Sequence, residues 1–186
     1  MIYRIYSLFF GILLLFSTPI YALEVIEILG GKASEIPIAI VPFDGLETIG
    51  GQKAHQIISS DLNRTGLFRP LNTLGISNPP NSDININYTK WSAMDAQFIV
   101  VGKVESENPI SGNIKITWSL IDIFKEKTVV SMRYIGKKSQ YRAIAHKVSD
   151  NVYEHLTGSK GVFHTKIAYV KKVNNKKYSL NVADFD

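Results

Sequence analysis

Cysteine is absent from all 186 residues. That excludes a disulfide framework and lipidation at a processed N-terminus, so stability has to come from packing. Histidine is scarce: His55, His146, His155 and His164 are the whole set. His146 and His155 share the last predicted helix but stand nine residues apart, which is not the i,i+4 spacing of a helical metal pair. With no H-E-x-x-H either, no metal site is expected, and the histidines read as solvated or half-buried.

Catalytic motifs are missing as well. The chain has no G-x-S-x-G elbow and no serine three residues before a lysine. Gly30-Gly31 and Gly50-Gly51 fit neither G-x-G-x-x-G nor the Walker pattern. Gly50-Gly51 precedes a predicted helix and could cradle an anion there, but double glycines more often mark turns. The carboxylates Asp61, Asp122 and Asp150 suggest no catalytic pair. No catalytic residue and no cofactor is expected, and the chain does not read as an enzyme.

What is present begins with a targeting signal. "MIYRIYSLFFGILLLFSTPIYA" carries Arg4, an apolar stretch from Ile5 to Phe16, then Pro19 and the small Ala22. This is the order of a secretory signal peptide, expected to span residues 1–22. The rival, an uncleaved anchor, needs about 20 apolar residues and the run is shorter. The mature chain is expected to start at Leu23, soluble in an extracytoplasmic space and without a stable membrane span.

Hydrophobic content of 45% and charged content of 20% are those of a globular fold, and the net charge is +5. "IPIAIVPF" (36–43) reads as a strand buried on both faces, ended by Asp44-Gly45. Ala54, Ile57, Ile58, Asp61 and Leu62 recur at helical spacing before Gly66. "LFRPL" is a short strand in which Pro70 demands an edge. Residues 72–87 form a polar loop, and a short helix follows near Trp91 to Ala96 with Thr89 as its N-cap. "QFIVVGKVE", "NIKITWSLID" and "TVVSMRYIG" read as an antiparallel meander. In it Ile114, Ile116, Trp118 and Leu120 share one face, and Val130, Met132 and Tyr134 another. A helix with the stripe Tyr141, Ile144, Ala145, Val148, Val152 and Leu156, ending at Gly158, supplies its cover. The expected fold class is α/β (α+β), a mixed sheet covered by helices over residues 36–160.

The last stretch, 161–186, adds one hairpin. Ile167, Tyr169 and Val170 lead to a turn at Asn174-Asn175, and Tyr178, Leu180 and Val182 return. A lone hairpin is marginal in water, so it reads as the opening of something larger. Its lysines, Lys171, Lys172, Lys176 and Lys177, lack interleaved aromatics, so a solvated tip is expected and nucleic acid is not. The β-prone "LEVIEIL", Leu23, Glu24, Val25, Ile26, Glu27, Ile28 and Leu29, would be the exposed mature terminus. Such a segment can add to the edge of a partner's sheet, or join the domain's own sheet.

"PIAIVPF", "IGG" with "ISSDLNRTGLFRPL", "VVGKV" and above all "VSDNVYEHLTGSKGVFHTKIAYV" together resemble the TolB family of periplasmic Tol-Pal proteins. The resemblance implies an N-terminal α/β domain followed by a six-bladed β-propeller, of which the hairpin would be the truncated start. It implies a protein-interaction role in outer-membrane integrity and in outer-membrane invagination during division. It also implies that the partner-binding segment 23–35, through Leu23–Leu29, contacts the C-terminal domain of TolA. The lipoprotein Pal would bind the propeller surface, which lies outside these residues. The alternative is a periplasmic small-ligand binding protein using the region of Gly50-Gly51; a hydrolase is a weaker third reading.

Overall fold

The computed structural model describes residues 35–45, 53–108, 111–174 and 176–184. The signal-peptide, Leu23–Leu29, Gly30-Gly31 and Gly50-Gly51 readings therefore lie outside the described residues.

Eight strands and three α-helices follow one another. They are β1 (Ile36–Ile40), β2 (Asp44–Gly45), α1 (Ala54–Arg64), β3 (Phe68–Leu71), α2 (Tyr88–Ala93), β4 (Phe98–Asn108), β5 (Asn113–Asp122), β6 (Lys127–Lys137), α3 (Tyr141–Thr157), β7 (Lys166–Asn174) and β8 (Lys177–Asp184). The main sheet runs β3-β1-β4-β5-β6, with β2 pairing on β4. β1 lies parallel to β3 and β4, while β4, β5 and β6 form the antiparallel meander. The sheet is mixed, as its alternating patterns suggested.

β1 is central and buried on both faces, which is why its sequence is almost continuously apolar. Ile38 and Ile40 belong to one core with α1, α3, Phe98, Val100, Ile116, Trp118 and Leu120. Ala39 and Val41 point into a second core with Trp91 of α2, Ile99, Val101 and Ile121. The strand is shorter than "IPIAIVPF" suggests. It ends at Ile40, Pro42 can donate nothing to a ladder, and Asp44–Gly45 re-pair with Lys103 and Val104 instead of ending the run. β3 is an edge, so Pro70 costs no ladder bond there.

Helix caps correct one expectation. α2 starts at Tyr88, and Asn87 rather than Thr89 is its N-cap: the Asn87 Oδ1 accepts from the Lys90 N–H at 3.0 Å. α3 ends as expected, with Gly158 at φ +74°. α1 and α3 run side by side in the same direction, since the Tyr141 hydroxyl donates toward the N-terminal turn of α1 no more than it accepts from it: the Ala54 N–H reaches that oxygen at 2.7 Å. One glycine is dictated by packing. A Cβ on Gly102 would lie 2.7 Å from the Phe43 ring and 2.8 Å from the Thr117 carbonyl oxygen.

Candidate functional site

The sequence nominated Leu23–Leu29, which lie outside the described residues. From Glu35 onward the chain feeds directly into the middle of the sheet. The Ile36 N–H donates to the Leu67 carbonyl at 2.8 Å, so the segment upstream is attached to a rigid strand.

The densest polar chemistry is buried between α1 and α3. Asp61 is fully buried, and its Oδ2 accepts from His146 Nδ1 at 2.7 Å and from the Ser149 hydroxyl at 2.7 Å. Arg64 stands 3.6 Å from the other carboxylate oxygen. Aspartate, histidine and serine together invite comparison with a nucleophilic triad, but the wiring differs. A nucleophilic serine gives its proton to the imidazole, whereas Ser149 gives its proton to the carboxylate. All three groups are buried in the helix pair, away from any bound substrate. The cluster is a polar bolt between two helices. His146 and His55 are therefore buried, not solvated as their sequence context suggested. The available signal was Asp61 itself, a carboxylate at an apolar position of α1, which demands an internal partner.

Asp150, half a turn beyond the bolt on α3, holds the chain's exit from the domain. Its Oδ1 accepts from the Phe163 N–H at 2.7 Å, and its Oδ2 accepts from the His164 N–H at 3.4 Å and pairs with His164 Nδ1. Gly161 is needed for this approach, because a Cβ there would sit 2.5 Å from the Asp150 Cα. Phe163 is buried against Tyr153, ring centroids 5.9 Å apart, and Tyr153 in turn meets Phe68 at 6.1 Å. The path from α3 toward the hairpin is thus fixed on the domain's core. The grooves beside it hold about 250 and 220 Å³, below the ~300–1,000 Å³ of ordinary small-molecule sites.

β7 and β8 form the expected hairpin, with Ala168 opposite Val182, Val170 opposite Leu180 and Lys172 opposite Tyr178. That register gathers Val170, Leu180, Val182 and Tyr178 on one face, where each is more than half exposed. Lys171, Lys172, Lys176 and Lys177 are exposed around its tip. Among the described residues no three histidine, aspartate or glutamate side chains gather as metal ligands. Among the same residues no helix is long and apolar enough to cross a membrane.

Comparison with known proteins decides the family: the sequence matches the TolB amino-terminal domain over residues 24–129. The chain belongs to that family. It is 41% identical to the Tol-Pal system protein TolB of Methylobacillus flagellatus, over 98% of this chain and 43% of that relative. The TolB of Nitrosospira multiformis is 42% identical, over 91% of this chain and 38% of its own length. The chain thus spans about two-fifths of the curated relatives it matches. The crystal structure of TolB from Acinetobacter baumannii superposes with a TM-score of 0.68 at 27% identity, over 82% of this chain and 36% of that one. The mixed sheet with helices is the fold the two share, in agreement with the fold class read from the sequence.

Proposed function

We propose that this chain is the N-terminal part of a periplasmic Tol-Pal component, a non-enzymatic protein-interaction module serving outer-membrane integrity and outer-membrane invagination during division. The observation that carries this reading is the family match over residues 24–129, joined to relatives that are named Tol-Pal system proteins. The polar bolt supports it, since the one serine–histidine–aspartate group is wired for holding helices together rather than for nucleophilic attack.

In this reading residues 1–22 are a signal peptide, and Leu23–Leu29 dock on the C-terminal domain of TolA. A terminus attached to the central strand β1 suits such a tether, because the free segment is short and its anchor is rigid. Residues 36–160 are the TolB-like α/β domain, and residues 161–186 supply the first strands of a β-propeller blade. The exposed face of Val170, Leu180, Val182 and Tyr178 supports the blade reading: two strands alone cannot bury it, and a neighbouring strand pair can. Pal binding belongs to the propeller surface of longer relatives. Coupling between Pal and the terminus would then require the two states of the terminus to differ in partner affinity.

The test is a calorimetric titration of residues 23–186, and of a version starting at Ser34, against the C-terminal domain of TolA. Binding by the longer form alone is expected. Equal binding by both, or by neither while both remain folded, overturns the assignment of Leu23–Leu29.

A further inference from the structure

β6 closes one side of the main sheet and, among the described residues, pairs only with β5. It is long for an edge, at 11 residues. One register shift falls near its start, opposite Leu120 and Ile121, and from Val130 to Lys137 the ladder is regular. An exposed regular edge presents a row of unpaired N–H and C=O groups, a template for another strand. Proteins usually block such edges with proline, inward-pointing charge or a covering loop. β6 has no proline, and its inward residues Val130, Met132 and Tyr134 are apolar, only partly buried, and packed on the core beneath α3.

The charge around this edge is of one sign. From Lys127 to Ser149 the sequence carries Lys127, Arg133, Lys137, Lys138, Arg142 and Lys147, and no carboxylate. On the outer face, Arg133 lies opposite Thr117, which lies opposite Lys103, while Lys115 lies opposite Glu105. Glu105 is taken up by Lys103 at 3.2 Å and Lys115 at 2.9 Å. Asp83, the acid from the 72–87 loop, is engaged by Thr128 at 3.1 Å and Ser131 at 3.4 Å. Among the described residues Arg133 has no carboxylate partner, and two cations surplus to Glu105 remain on this face.

We infer that the free edge of β6 is a docking site for an acidic extended segment of a partner protein, added as a sixth ladder strand beside β6. Backbone hydrogen bonds would supply the affinity. Apolar residues at alternate positions would complete the cover over Val130, Met132 and Tyr134, and the intervening carboxylates would meet Arg133 and the lysines at the two ends. The same charges select against a second copy of this chain. Antiparallel self-pairing centred on Met132 would set Lys127 against Lys137 at both ends of the ladder, and like charges directly opposite are destabilising. The site is independent of Leu23–Leu29 and of the hairpin, so it stands or falls apart from the function proposed above.

The test uses the isotopically labelled chain and two probe peptides, Val-Glu-Val-Glu-Val-Glu-Val and its counterpart with lysine in place of glutamate. Adding the acidic peptide should shift the amide resonances of Val130 to Lys137 and slow their hydrogen exchange. Binding should weaken about tenfold as salt rises from low to several hundred millimolar, and by a similar factor or more in the R133E/K137E double variant. Unchanged near-ultraviolet circular dichroism confirms that the variant is folded, and the salt series and the lysine peptide test the wild-type chain on their own. Equal binding of the lysine peptide, shifts confined to other strands, no binding at millimolar peptide, or a dimer formed through β6 would each overturn the inference.

Discussion

Asp61→Ala is the sharpest probe of what holds the two long helices together. The substitution removes one acceptor oxygen that serves two donors at 2.7 Å each, His146 Nδ1 and the Ser149 hydroxyl. Hydrogen bonds to a charged acceptor contribute about 1.5–3 kcal/mol each. Deleting one partner of a buried ionic group costs about 3–5 kcal/mol, because the groups left behind stay desolvated. Ser149 loses less than His146, since it also reaches the Ala145 carbonyl at 3.3 Å. The expected loss for Asp61→Ala is therefore about 4 kcal/mol, and for Ser149→Ala about 1–2 kcal/mol. With a urea slope of ~2 kcal/mol/M, the Asp61→Ala midpoint should fall by about 2 M. Equilibrium urea unfolding followed by the fluorescence of the two buried tryptophans, Trp91 and Trp118, reads this directly. A loss under ~1 kcal/mol for Asp61→Ala, or one no larger than that of Ser149→Ala, would refute the bolt as a determinant of stability.

Gly102→Ala should lower stability by about 1–3 kcal/mol, seen as a fall in melting temperature, because its Cβ would press on both Phe43 and the Thr117 carbonyl. Glu105 should titrate below the ordinary glutamate range, since hydrogen bonds from Lys115 and then Lys103 favour its ionised form. A folded-state pKa below the unfolded one gives a stabilisation that is present above the unfolded value and lost as pH falls through the folded value. Carboxyl carbon resonances read that midpoint, and K103M/K115M should return it toward the ordinary range. Leu180→Ser with Val170→Ser should leave the unfolding midpoint of the α/β domain within ~0.5 kcal/mol, as both side chains are largely exposed, while reducing retention on a hydrophobic column. A marked loss of stability would mean that this hairpin face is already covered. Asp150→Ala should release the 160–164 stretch, detected as faster proteolysis after Lys160 with the domain still folded, because that carboxylate holds the Phe163 and His164 amides.

Most of the fold was legible because its elements bury one face at a fixed period. The alternation in β5 placed Ile114, Ile116, Trp118 and Leu120 in a single core, and the stripe of α3 placed Tyr141, Ile144, Ala145, Val148 and Val152 in the same one. Pro70 located an edge strand from backbone chemistry alone. Failures came where a long-range partner decides the outcome. Nothing local tells that His146 will meet Asp61, 85 residues away, so its burial could not be read from periodicity. The N-cap at Asn87 was missed for a simpler reason: Asn87 and Thr89 are both good caps, and the one residue that starts the helix settles the choice. Of the proposed site, residues 23–29 were named from a resemblance, and the chemistry of a hydrophobic strand with two glutamates is too common to select a partner by itself.

α3 links these observations, because one helix has three separate tasks. Its apolar stripe covers the antiparallel half of the sheet, His146 and Ser149 lock it to α1, and Asp150 fixes the chain that leaves it. Fixing a helix on one neighbour while another segment is hung from its next turn gives the exit a defined starting direction. A loosely packed α3 could cover the sheet through hydrophobic burial alone, but burial is non-directional and would not fix that direction. The buried carboxylates supply it, at the cost of stability that is lost steeply if either is removed. That distinction explains why a chain with no catalytic wiring carries ionisable groups in its core: they set the angle at which the following β-strands are presented.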